Sequence, residues 1–336
     1  MLSGSDVNLK ISVLLPAYNC EKYVEEAIKS ILGQTYSNFE LLIADDASTD
    51  RTKEVIHRIT ESGDCRIHLF HNAVNLGKTG TVANLFKRAV GDLVTIHDAD
   101  DCSLPERFER QVEEFQKYPD LGLCGTSYIS VTEDGNEILE TVRMKTCYKE
   151  ILVGLENSPQ FHGPTMMMKK SILDELEGVY RPYFENDNED TDLAYRIAER
   201  HQSYNLSEIL YKYRILSTSL RRQSVTVRNR NLYKVVSFLA NERRERGSDS
   251  IQEGKAEVAN EYFSMVTEKY SIDSSLIHRE AAELLMHWRL HWRAIKESSI
   301  AVRNNPFQLV NYRTLQYCIR KLMFTMLIKH RRHGGT

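Results

Sequence analysis

With 336 residues, 41% of them hydrophobic and 27% charged, the chain can bury one large core and a smaller one. Its formal net charge of −3 gives no reason to expect a nucleic-acid partner, although basic residues collect toward the C-terminus. The six scattered cysteines form no C-x-x-C pair, so neither a disulfide scaffold nor a zinc site is suggested, and a reducing, cytoplasmic setting fits best. Residues 1–10 are polar and no apolar run reaches the roughly 18–20 residues that span a bilayer, so neither secretion nor a transmembrane anchor is expected.

Short apolar runs alternate with helix-period segments over the first hundred residues. Residues 11–15 read as a buried strand ended by Pro16, and residues 21–32 as a helix with Val24, Ala27, Ile28, Ile31 and Leu32 on one face. The unit repeats with a strand at 39–44 and a helix through Ile59, for which Ser48, Thr49 and Asp50 offer N-cap chemistry. A strand at 67–70, a helix at 81–90 and a strand at 93–96 follow, and Pro105 opens a further helix burying Phe108, Val112 and Phe115. Such alternation predicts an α/β fold, a Rossmann-like, mostly parallel sheet flanked by helices. Longer strand-like stretches at 123–131, 165–168 and 209–215 and a helix at 191–200 carry the domain to about residue 222. Residues 223–336 read as a helical C-terminal region, interrupted near Gly247 and Pro306.

Three polar clusters fall beyond strand ends, where such sheets bind ligands. Asp98, Asp100 and Asp101 concentrate three carboxylates within four residues, which calls for a cation. Hard oxygen ligands suit Mg²⁺ or Mn²⁺, completed by a nucleotide diphosphate, while an acidic loop capping the next helix is the plainer alternative. Asp45 and Asp46 exceed what capping needs, so one can meet a base or ribose, and Tyr18 offers a ring for stacking. The run from Asn186 to Asp192 precedes a helix; Asp190 suits a general base and Asp192 suits helix-terminal charge stabilisation. The Gly77-Lys78-Thr79 triplet is not a phosphate loop, because Asn72 stands where its first glycine is required.

Together, residues 13–19, 45–50 and 75–77, then Asp98-Ala99-Asp100-Asp101 with Leu104-Pro105-Glu106, and finally Glu189-Asp190-Thr191-Asp192-Leu193, resemble family 2 glycosyltransferases of the GT-A fold over about residues 10–220. The resemblance implies an inverting transferase that takes a sugar from a nucleotide-diphosphate donor, a UDP-sugar above others, and passes it to a glycan or lipid-linked acceptor. It places Pro16, Ala17, Tyr18, Asn19 and Asp46 around the base, Asp98 near the ribose, Asp100 and Asp101 at the metal, and Asp190 as base. His162 in Phe161-His162-Gly163-Pro164, together with Glu189, falls on the acceptor side. Relatives often carry a histidine after a Tyr-Arg pair, where this chain has Ile215-Leu216-Ser217 after Tyr213-Arg214. Val82-Ala83-Asn84 replaces their Ala-Arg-Asn, leaving Lys78 or Arg214 to supply charge to the diphosphate.

Two other classes fit the sequence less well. A sugar nucleotidyltransferase expects a glycine-rich loop after the first strand, which Pro16-Ala17-Tyr18-Asn19-Cys20 is not, and an inactive scaffold would have no need of Asp46, Asp98, Asp100 and Asp190 together. Outside the resemblance, Arg320, Lys321, Lys329, Arg331 and Arg332 flank the apolar residues 322–328. That pattern fits either a helix lying on the inner face of an anionic membrane or an amphipathic helix packed on its own domain.

Overall fold

The computed structural model describes residues 8–333 except 62, 156–157, 177, 217–224 and 289, with side chains described up to residue 324. The chain divides into two compact units, Met1–Leu216 with Ala240–Gly247 and Ser217–Leu239 with Ser248–Thr336. The boundary expected near residue 222 lies outside the described residues.

In the first unit, β1 (Ile11–Ala17), β2 (Phe39–Asp45), β3 (Ile67–His71) and β4 (Leu93–Ile96) pair in parallel in the order β3-β2-β1-β4. They alternate with α1 (Val24–Leu32), α2 (Thr52–Thr60) and α3 (Gly77–Phe86). Both faces of β1 and β2 are buried, which is why their sequences run apolar without alternating. Pro16 lies inside β1, opposite Ala44, rather than ending it; it sits one residue from the strand end, where the missing N–H matters least. Of the three expected capping residues only Asp50 serves α2, its Oδ1 accepting the Thr52 N–H at 2.9 Å. The third helix starts at residue 77 rather than 81 because Gly77, at φ +70°, makes the turn into it.

The second half of this unit adds β5 (Cys102–Ser103), α4 (Arg107–Lys117), β6 (Leu121–Val131), β7 (Ile138–Val142), α5 (Tyr148–Leu155), β8 (Met167–Lys169), α6 (Lys170–Glu175), α7 (Glu189–Ala198) and β9 (Gln202–Arg214). β8 runs antiparallel between β4 and β6, β9 is parallel to β6, and β5 pairs antiparallel with β9. The sheet is thus parallel through its first four strands and mixed beyond them. Helix α8 (Val227–Arg246) contributes residues to both units, and Gly247 at φ +82° ends it.

The second unit continues with α9 (Ala256–Ile272), α10 (Leu276–His287), α11 (His291–Asn304) and α12 (Leu309–His333). Ala282, Leu285, Ala294 and Cys318 form one of its buried clusters. Among the described residues, no helix is long and apolar enough to cross a membrane.

Candidate active site

The C-terminal ends of β1, β2 and β4 present their loops on one rim, and hydrogen bonds latch these loops together. The Asn19 N–H donates to Ser48 Oγ at 3.1 Å, and Asn19 Oδ1 accepts the Thr49 N–H at 2.8 Å. Asn19 and Ala47 hold left-handed backbone, at φ of 47° and 57°, and so do Glu185 and Asn188, at 52° and 61°. Non-glycine residues of this kind mark sites where the surroundings over-determine the chain. Asp46 is buried, with Oδ1 accepting from Asn72 Nδ2 at 2.7 Å and from the Leu76 N–H at 2.8 Å. Tyr18 leaves 48% of its surface exposed beside Pro16 and the buried Ala17, so its ring is open to a ligand.

One carboxylate oxygen from each of Asp98, Asp100 and Asp101 lies within 4.8 Å of the others. Burial opposes charge on Asp98, but the Lys78 ammonium, 2.7 Å away, holds its carboxyl below the ordinary range. Asp100 lacks such a partner; burial and then the Asp98 charge push it up to about 6. Asp101 is raised further, by burial and by both neighbours. Its Oδ2 accepts from the Tyr211 hydroxyl at 3.0 Å and its Oδ1 from the Arg214 N–H at 2.7 Å, which pins the acidic loop to β9. Asp100 is therefore the carboxylate best placed to take an ion, and Asp101 the one that positions the loop. All the ligand atoms are hard carboxylate oxygens, a donor set that fits Mg²⁺ or Mn²⁺ rather than a softer metal.

The second acidic cluster meets the first through Lys78. The Thr79 N–H donates to Asn186 Oδ1 at 3.2 Å and the Thr79 hydroxyl to the Glu185 carbonyl, fixing the start of α3 against the 185–188 turn. Burial disfavours the Lys78 ammonium, but Asp98, Tyr180 and Glu189 keep it charged. Asp190 opens α7, its Oδ1 accepting the Thr191 N–H at 2.8 Å. A methyl on Gly163 would stand 2.4 Å from its Oδ2, so only glycine lets the 161–165 turn approach that carboxylate. His162 stacks on Tyr128 at 4.1 Å and meets Tyr213 edge-on at 4.9 Å.

One sequence expectation changes and another is sharpened. Arg214 does not reach outward: it is 4% exposed, and its guanidinium donates to Glu26 Oε2 at 2.6 Å and to the carbonyls of Asp100 at 2.9 Å and Glu133 at 2.8 Å. Asp192 stands in the first turn of α7, as a helix-terminal charge would, and is there a fully buried anion paired with Arg181 and, at 3.0 Å, with Arg196. Tyr180, buried among Lys78, Glu189, Asp190 and Asp98, joins the site without any sequence motif to announce it.

A sheet with acidic and aromatic loops beyond its strand ends, closed by a mixed half that brings a second acidic turn to the same rim, has the architecture of the GT-A glycosyltransferases. The chain belongs to glycosyltransferase family 2: the family described as Glycosyl transferase family 2 matches residues 12–177. EpsE of Bacillus subtilis (strain 168), named as a glycosyltransferase, is 34% identical over 218 residues, covering 65% of this chain and 77% of EpsE. In fold, the chain is similar to S. aureus TarS 1-349 in complex with UDP-GlcNAc (TM-score 0.58, 16% identity, 93% of this chain and 92% of that one). It is also similar to the mannosyltransferase PcManGT from Pyrobaculum calidifontis in complex with GDP-Man and Mn²⁺ (TM-score 0.54, 18% identity, 93% and 80%).

Proposed function

We propose that this glycosyltransferase moves a sugar from a UDP-sugar to the hydroxyl of a glycan acceptor with inversion, assisted by Mn²⁺ or Mg²⁺. The observation that carries the reading is the gathering of Asp98, Asp100 and Asp101 within 4.8 Å, with Asp100 raised to about 6 by burial and like charge. Such a cluster is relieved by a cation. Asp100 would hold the ion, which when bound neutralises charge on the departing diphosphate.

This chain's own residues do the rest. Tyr18 stacks on the base while Asp46, fixed by Asn72 and the Leu76 N–H, meets its polar edge. Asp98 faces the ribose, and Lys78, held charged against it, lies within reach of the diphosphate. Asp190 takes the proton from the acceptor hydroxyl on the opposite side, beside His162 and Gly163, a role worth about 10²–10⁴ in rate. A uridine donor is supported by TarS binding UDP-GlcNAc on a similar fold, whereas PcManGT, which binds GDP-Man, makes guanosine the competing arm. All six cysteines are unpaired, which suits a cytoplasmic location.

Isothermal titration of UDP and GDP, with and without Mn²⁺, tests the reading on wild type and Asp100→Ala. Metal-dependent UDP binding that is lost in the variant is expected. A preference for GDP would overturn the donor assignment, and binding of neither nucleotide would leave an inert GT-A scaffold.

A further inference from the structure

Helix α12 carries none of the candidate site residues, yet its surface offers apolar contact. Between Leu309 and His333 it carries no aspartate or glutamate. Asn311 and Cys318, seven residues apart and so on one face, are buried; Cys318 joins the core with Ala282, Leu285 and Ala294. The opposite face exposes Leu309, Tyr312, Tyr317, Ile319, Met323 and Phe324, each between 41% and 72% open, and Phe307 in the preceding turn is 93% open. Arg313 and Arg320, also exposed and seven residues apart, run along the middle of this apolar face.

Large apolar side chains left open on both sides of a basic stripe mark an interaction surface. Its charge selects the occupant. A two-fold contact with a second copy would set Arg313, Arg320 and Lys321 against themselves, with no acid on the helix to meet them. Among the described residues, no helix is long and apolar enough to cross a bilayer, so the face is read as one that lies on a surface. An apolar and aromatic face threaded with arginines fits a helix lying in the plane of an anionic bilayer, with its rings at headgroup depth. We propose that the exposed face of α12 docks the protein on anionic phospholipid, which would hold the enzyme where a lipid-borne acceptor is presented.

Flotation of the full chain with vesicles of phosphatidylcholine, alone or with phosphatidylglycerol, tests this. Binding to the anionic vesicles that weakens with added salt is expected. Each basic residue near such a surface contributes about fivefold to partitioning, so Arg313→Ala with Arg320→Ala lowers it by about 25-fold. Phe324→Ser lowers it through the apolar term. These side chains are exposed, so circular dichroism of the variants should match wild type. No flotation with anionic vesicles, or flotation unchanged in both variants, overturns the proposal. So does light scattering that shows a dimer dissolved by the same substitutions, which would make the face a contact between copies.

Discussion

Titration of Asp100 offers a sharp test of the metal reading. Burial and the Asp98 charge raise its carboxyl from 3.8 to about 6, so between those values the folded chain keeps a proton that the unfolded chain has released. In the metal-free protein the stabilising contribution of this group is complete below about pH 4 and lost as pH rises through 6. About two pH units correspond to about 3 kcal/mol, an upper figure because Asp100 is only half-buried by surface. A divalent ion competes with that proton. Near pH 5 about nine-tenths of Asp100 is protonated, so Mn²⁺ should bind about tenfold more weakly than near pH 7.5. Asp100→Asn removes the charge, so the metal-free variant should melt higher than wild type near pH 7.5, by about 5 °C, while losing its response to Mn²⁺. Calorimetry reads both quantities. Equal Mn²⁺ affinity at the two pH values, or a metal-free Asp100→Asn that melts below wild type, would refute the reasoning.

Three further outcomes separate chemistry from scaffold. Asp190→Asn should lower kcat by about 10²–10⁴ with UDP affinity unchanged, read by steady-state kinetics beside calorimetry. Asp192→Ala leaves the buried guanidiniums of Arg181 and Arg196 without their shared anion, which should cost about 3–5 kcal/mol and about 10 °C in Tm. A loss under about 2 °C would remove the structural role given to Asp192. Tyr18→Ala, at a half-exposed ring, should weaken UDP by about 5- to 150-fold without moving the Tm, and unchanged affinity would take Tyr18 out of the base site.

The parallel half of the sheet was legible because each of β1, β2 and β4 is buried on both faces and therefore reads as an unbroken apolar run. β5 is two residues long and is held by its pairing with β9, while β7 is a largely exposed strand paired, among the described residues, to β6 alone, so neither leaves a periodic signal. The acidic clusters were legible for a different reason: carboxylates crowded at strand ends need an explanation that local structure does not supply. Their partners were not legible. Tyr180 comes from a stretch with no motif, and Arg214 looks like a free cation until Glu26, far back on α1, is brought beside it.

Arg107 shows how far a charged residue can mislead, and why the acidic loop is tolerated. It lies on α4 among charged neighbours, yet it is fully buried and donates to Thr95 Oγ1 at 2.7 Å, Ser103 Oγ at 3.0 Å and Gln111 Oε1 at 3.1 Å, all neutral. Burial lowers its pKa to about 10, so it stays cationic at neutral pH, and it sits over the Tyr211 ring whose hydroxyl holds Asp101. The same burial, with the Arg107 charge, drives His97 down to about 3, so that histidine is a neutral spacer meeting Ser103 and the Asp98 carbonyl. Three carboxylates thus have Lys78 before them and Arg107 behind them, Arg214 being offset by Glu26. Asp100, raised to about 6, pairs with no cation among the described residues, and a divalent ion held there would relieve the crowding of the three carboxylates.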